Sequence, residues 1–309
     1  MQLDPMIAQV LELSAGQPKL HEVSVEQARA GMELRVEMLK PLAPQAVGTQ
    51  DLAIATPAGP LPVRVYRPEG AEGPLPTLVF LHGGGWVLGS IESHDNVCRF
   101  LADRGPLLVI SVDYRLAPEH KAPEQQADAM AALGWAFANA AAHGGDPARL
   151  LVGGDSAGGN LAALAALASR NGGPKLAGQL LVYPVTDFPA DAYESYAENG
   201  DFGLDRAAME WFWAHWLPEG AGPDETTAPQ RATDLSGVAP AYVITASHDV
   251  LRDEGKAYAG RLAAAGALSA HDHVPGTIHG FFSMAGLVPL ATETLERAAR
   301  WAASQKAIQ

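Results

Sequence analysis

Along most of the chain, apolar strand-like runs take turns with helical patterns, and this alternation restricts the fold more than any other property. "PTLVFLH", "PLLVISVDY", "ARLLVGG", "GQLLVYP" and "AYVITAS" are apolar without a clear inside–outside period. The segments between them, such as the one from about Ala122 to Ala142, carry helical spacing. Strands buried on both faces and joined by helices form a parallel sheet covered on each side. "LAIATP" and "LPVRVYRP" precede this series and "SAHDHVPG" follows it, with Pro and Gly breaking the runs.

Two stretches stand outside the alternation. "PMIAQVLELS" and "SVEQARAGMELRVEML" predict two opening helices, the second started by Ser24 with Glu26 and Gln27 in its first turn. Between about Val185 and Ala239 helix signals continue with little strand pattern, which reads as an insertion. The expected organisation is an N-terminal helical arm or lid over 1–45, a first core part over 46–184, an insertion over 185–235, and a second core part over 236–309. A chain of 309 residues, 48% of them hydrophobic, has material for one large α/β domain with insertions or for two small domains.

The formal charge of −14 and the pI near 5.1 argue against a nucleic-acid partner, which needs a basic face. The opening "MQLDPMIAQVLELSAG" lacks the pattern of a secretory signal, and no apolar run reaches the roughly 18 residues a membrane span needs. A cytoplasmic location is the simplest expectation. Cys98, the one cysteine, has no internal disulfide partner and is spaced with Val97 and Leu101 as a packing residue.

The chemistry concentrates at Gly154-Asp155-Ser156-Ala157-Gly158, a G-x-S-x-G placed between a predicted strand and a predicted helix. A turn that tight brings neighbouring segments close, so the positions on either side must be minimal. The serine hydroxyl is then presented at the carboxyl edge of the sheet and at a helix N-terminus, where developing negative charge is favoured. A phosphate loop would need Lys then Ser or Thr after the last glycine, and Gly159 is followed by Asn160.

A serine needs a base and an orienting acid, and along such a fold the order is serine, acid, histidine. His279 follows the last strand-like run in a Gly-flanked loop and is the expected base. His271 and His273 lie inside that run and should point to the sheet faces. His21, His94, His143 and His215 read as surface or packing residues, and His120 as a structural hydrogen-bonding one. Asp249, just past "AYVIT", is the expected acid. Asp253 and Glu254 fall in the first turn of the next helix, where the helix dipole accounts for them.

The oxyanion needs backbone donors. Gly83, Gly84 and Gly85 in "FLHGGGWVLGS" follow a strand and lack the Cβ atoms that would block a ligand. Gly83, Gly84 and the Ala157 N–H are the expected donors, and His82 is expected to fix the loop by hydrogen bonding. The glycine spacing does not match a dinucleotide-binding turn, and Trp86 and Val87 would fill such a turn.

Together "HGGGW" at 82–86, "DYRLAPEH" at 113–120, "GDSAGGN" at 154–160, "YP" at 183–184, "DVLRDEG" at 249–255 and "IHGF" at 278–281 resemble the hormone-sensitive-lipase-like branch of the α/β-hydrolases. These are the bacterial family IV carboxylesterases with an HGGG loop. The resemblance implies a mostly parallel eight-stranded sheet with a helical cap, made from the N-terminal arm and the insertion. It also implies Ser156 as nucleophile, His279 as general acid/base, Asp249 as its orienter, and Gly83, Gly84 and Ala157 at the oxyanion. Val250 departs from the proline common after the acid.

The expected reaction is hydrolysis of short- to medium-chain acyl esters, with no cofactor and no metal, a small-molecule ester as partner, no nucleic acid and no membrane span; a homodimer stays open. A non-catalytic binding protein and an amidase or peptidase are the alternatives. The aromatics of "MEWFWAHW" are expected to pack insertion against core, and Tyr183, Trp86 and Phe282 are candidates for the substrate pocket.

Overall fold

Strand β3 (Leu75–Leu81) shows how the sheet is built: Leu78 and Phe80 point into one hydrophobic cluster, and Val79 and Leu81 into another on the opposite face. All four side chains are fully buried, so the strand has no polar face to alternate.

The computed structural model describes residues 2–188 and 190–308. Met1, Pro189 and Gln309, which fall at the ends and inside the insertion of the expected organisation, lie outside the described residues. The chain opens with helices α1 (Pro5–Ser14) and α2 (Val25–Leu39), followed by β1 (Val47–Thr56) and β2 (Gly59–Pro68). After β3 come α3 (Asp95–Arg104), β4 (Leu108–Val112), α4 (Glu124–Asn139), β5 (Gly145–Asp155), α5 (Ala157–Ser169) and β6 (Gly178–Val182). Helices α6 (Ser195–Glu198) and α7 (Arg206–Trp216) precede β7 (Ala241–His248), α8 (Arg252–Ala264), β8 (Leu268–Ile278) and α9 (Pro289–Ala303).

The eight strands form one sheet in the order β1-β2-β4-β3-β5-β6-β7-β8. The β1–β2 and β2–β4 pairs are antiparallel and every later pair is parallel. This is the α/β-hydrolase arrangement the sequence resemblance implies. Residues of α4, α5 and α8 cover one face, and residues of α3 and α9 cover the other. Between β6 and β7 the described residues hold helices and no strand. Among the described residues no helix is long and apolar enough to cross a membrane.

Local signals explain the outlying helices. Ser24 and Gln27 cap α2 reciprocally, at 3.2 and 3.0 Å. Asp205 caps α7 by accepting the Ala208 N–H at 2.8 Å, and it pairs with Lys19 from the stretch between α1 and α2. At the other end of α7, Lys121 Nζ donates to the His215 and Leu217 carbonyls, each at 2.8 Å. Helix α2 is fastened through Arg29, which donates to the Val87 and Ala117 carbonyls and to both oxygens of Glu119.

Candidate active site

Three parallel strands end at the same edge of the sheet, and each is followed directly by a polar residue: β5 by Ser156, β7 by Asp249 and β8 by His279. Their side chains form one chain of hydrogen bonds. His279 Nε2 is 2.8 Å from Ser156 Oγ, and His279 Nδ1 is 2.8 Å from Asp249 Oδ2. Asp249 is fully buried, and its other oxygen accepts the Leu251 N–H at 2.9 Å.

The backbone at Ser156 is held at φ 55° and ψ −118°, a conformation costing a non-glycine residue about 1–3 kcal/mol. It persists because its surroundings over-determine it. Ser156 N–H donates to Val182 O at 2.9 Å, and α5 starts at the next residue. A Cβ at Gly158 would overlap the Leu81 carbonyl oxygen, and one at Gly154 would overlap both that oxygen and the Gly158 backbone. The glycines of the motif therefore let β5, α5 and the end of β3 meet.

The loop after β3 crosses beside the serine. His82 is buried, stacks on Tyr114 at 4.2 Å and sits 2.9 Å from the Gly83 carbonyl; burial pushes its pKa down to about 3, so a neutral ring holds the loop. Gly83 departs from expectation. Its N–H donates to Asp155 Oδ1 at 2.9 Å, so this amide is turned away from the serine hydroxyl and into the floor of the site. Among the described residues, the N–H groups of Gly84, Gly85 and Ala157 make no hydrogen bond. Gly85, passed over as a donor in the sequence, leaves its amide open where the Gly83 amide is engaged. Its signal was the third glycine of the run, which also sits at φ +61° with the Phe212 ring where a Cβ would be.

These residues open onto a cavity of about 380 Å³. Its polar floor contains Ser156, His279, Asp155, Ser93 and His94, and its walls are apolar. Val10, Leu11, Leu20, Met32 and Val36 come from the N-terminal region, and Leu204, Met209 and Phe212 from the stretch leading into α7 and from α7 itself. Trp86, Tyr183 and Phe282, the sequence candidates for the pocket, are buried and absent from its lining. Trp86 instead stacks on Trp216 with rings 3.8 Å apart and 7° from parallel, with Trp213 edge-on at 4.9 Å. Such a pair contributes about 1 kcal/mol beyond its buried area, and it locks α7 to the glycine loop. Aromatics of "MEWFWAHW" thus divide their work: Trp213 and Trp216 pack, and Phe212 lines the cavity.

Nothing in the residue pattern singles out His94. It was expected among surface or packing histidines, but it is buried in the cavity floor with Nε2 3.1 Å from Asp155 Oδ1. Asp253 and Glu254 do more than meet the dipole of α8. Asp253 accepts the Ser195 N–H at 2.9 Å, and Glu254 accepts the Thr186 N–H at 2.7 Å and the Tyr196 hydroxyl at 3.0 Å. Both acids therefore fasten the 185–235 excursion to the core, and burial pushes the Glu254 carboxyl up to about 8. His271 and His273 meet at Thr245 Oγ1, at 2.9 and 3.0 Å, and His120 pairs with Glu124. Cys98 is buried in α3.

Residues 78–283 match the model of a family described as alpha/beta hydrolase fold. Carboxylesterase NlhH of Mycobacterium tuberculosis is 46% identical over 244 residues, covering 77% of this chain and 76% of that protein. An ethyl acetate hydrolase of Pseudomonas putida is 35% identical over 309 residues, covering 96% of each. Among solved structures, a hyperthermophilic esterase from Pyrobaculum calidifontis superposes with a TM-score of 0.91 at 37% identity, over 98% of this chain and 99% of that one.

Proposed function

The chain belongs to the alpha/beta hydrolase fold family and is a carboxylic ester hydrolase, and from that premise we propose that it cleaves short- to medium-chain acyl esters through Ser156, His279 and Asp249. The observation that carries this reading is the unbroken chain of 2.8 Å contacts from Asp249 through His279 to the Ser156 hydroxyl. A carboxylate only accepts, so Asp249 takes the Nδ1–H and leaves Nε2 as the lone pair facing Ser156 Oγ–H. His279 removes that proton as Oγ attacks the ester carbonyl.

The tetrahedral oxyanion is received by the amides of Gly84, Gly85 and Ala157, whose hydrogens have no other acceptor among the described residues. His279, now protonated and held by Asp249, gives its proton to the leaving alkoxide, and an acyl-Ser156 remains. Water enters and attacks the acyl carbonyl as His279 takes its proton, and the second tetrahedral intermediate collapses to the free acid while His279 returns that proton to Ser156 Oγ.

The apolar walls and about 380 Å³ of space support a neutral acyl chain of limited length, as does the relative named for ethyl acetate. In this reading residues 1–45 and 185–235 form a cap, and 46–184 with 236–309 form the catalytic core. The test is a series of initial rates on p-nitrophenyl esters of increasing acyl length, for wild type beside Ser156→Ala. The expected result is turnover peaking at short or medium chains and absent from the variant. Equal rates in both proteins would overturn the reading.

A further inference from the structure

Beneath the nucleophile the floor holds a second histidine–carboxylate pair that the hydrolytic cycle above does not use. Asp155 Oδ1 receives the Gly83 N–H at 2.9 Å and lies 3.1 Å from His94 Nε2, while Tyr183 Oη reaches Oδ2 at 3.5 Å. Both members are buried, and both line the cavity.

The hydrogens can be placed by elimination. Burial alone would raise the Asp155 pKa, yet His94 and the Gly83 amide outweigh it and hold the carboxyl below its ordinary value. An ionised carboxylate cannot donate, so His94 Nε2 carries a proton and donates it to Oδ1. With Nε2 protonated, the Gly83 amide, 3.3 Å from that nitrogen, has Asp155 as its acceptor. The opposite ring nitrogen lies 2.8 Å from Ser93 Oγ, and Ser93 is itself held by the Ser90 backbone at 2.8 and 2.9 Å. His82 and Phe80 flank the ring, 5.6 and 6.3 Å between centroids. The imidazole is thus fixed in plane and in position.

Asp155 is covalently next to Ser156. The amide it anchors is next to Gly84, which is followed by Gly85. One carboxylate therefore places the nucleophile and the oxyanion donors in a common frame, although they come from different strand ends.

We propose that His94 and Asp155 are positioning residues of the esterase reaction: the pair fixes the Gly83 amide in the floor, and so sets the Gly84 and Gly85 amides over the Ser156 hydroxyl. This rests on the ester-hydrolase mechanism above. Because those amides bind the tetrahedral state better than the planar ester, a loosened pair costs turnover and not substrate binding.

The experiment compares wild type, His94→Leu, His94→Gln and Ser156→Ala in kcat and KM for one p-nitrophenyl ester, in inhibition by an alkylboronic acid, and in thermal midpoint. A boronic acid adds to the serine and carries a tetrahedral anion into the donor site, so it reports on the amides directly. His94→Leu is expected to lower kcat about thirtyfold and weaken the boronic acid by the same factor, with KM within about threefold of wild type. His94→Gln keeps an N–H near the Nε2 position and is expected to recover kcat to within about fivefold of wild type.

If His94→Leu does not fold, Ser93→Ala removes only the hydroxyl that orients the ring. It is then expected to lower kcat and boronic-acid affinity together about threefold at unchanged KM. Wild-type kcat and boronic-acid affinity in folded His94→Leu would overturn the proposal, as would losses in His94→Leu and His94→Gln that only follow their thermal midpoints. Full activity of Ser156→Ala would instead overturn the nucleophile assignment, and the role of the pair with it.

Discussion

The floor and the roof of the cavity are built by different means. The floor is backbone and polar side chains at strand ends, with Ser156, Asp249 and His279 each one residue past a strand and the bonds joining Ser156 to His279, His279 to Asp249 and Gly83 to Asp155 at 2.8–2.9 Å. The roof is apolar side chains from α1, α2, α7 and their connections, carried on helices fastened by long cations. Lys19 reaches Asp205, Arg29 reaches Glu119 and Lys121 reaches the end of α7. The floor leaves its atoms almost no freedom, as transition-state stabilisation requires. The roof can exchange one apolar side chain for another without breaking a hydrogen bond, which under the proposed function makes it the place to select the acyl group.

Breaking the floor should have the largest effect. Asp249→Asn leaves His279 without a carboxylate to hold its tautomer and should lower kcat about 10⁴-fold. Steady-state rates on a single p-nitrophenyl ester check this, with a thermal melt to show that the fold persists. A smaller loss is expected at the seam, where Phe212 lies directly on Gly85. Gly85→Ala places a Cβ in that ring at φ +61° and should cost about 2 kcal/mol of stability as well as turnover, read by denaturant unfolding.

Changes confined to the roof should sharpen the contrast. Met209→Ala enlarges the cavity without touching the hydrogen-bonded floor. It should raise the preference for a longer over a shorter acyl ester roughly fivefold, measured as a ratio of kcat/KM values, while kcat on the shortest ester changes little.

The smallest effect belongs to the tether. The Arg29 guanidinium holds Glu119 down to about 2 from its ordinary 4.5. A lowered carboxylate pKa stabilises the folded state fully above 4.5, and that contribution is lost as pH falls toward 2. Glu119 is 54% exposed, so solvent screening keeps the pair below about 1 kcal/mol. The difference in unfolding free energy between wild type and Glu119→Gln should be of that size at pH 7, and should shrink on titration to pH 3.

The same contrast explains what could be read in the sequence. Strand ends and the glycine turn are local: Gly154 and Gly158 announce a close approach, and Ser156, Asp249 and His279 follow from position relative to apolar runs. The strands and the two opening helices were legible for the same reason, since period and capping are written in consecutive residues. The roof was not legible, because its lining depends on how α1, α2 and α7 close over a sheet edge far away in the chain. Trp86 and Phe282 are as apolar as Met32 and Phe212, and only packing distinguishes the buried pair from the lining pair. In the floor the two misjudged positions, Gly83 and His94, both depend on Asp155, an acid whose side chain turns inward beneath the serine.

The central claim is that one serine forms the covalent acyl intermediate. The direct measurement is intact-protein and peptide mass spectrometry after reaction with a p-nitrophenyl alkylphosphonate, alongside release of p-nitrophenol. The account predicts one phosphonyl group per chain, on the peptide containing Ser156, and complete loss of esterase activity in proportion to labelling. Labelling of another residue, or full activity in chains modified at Ser156, would contradict it.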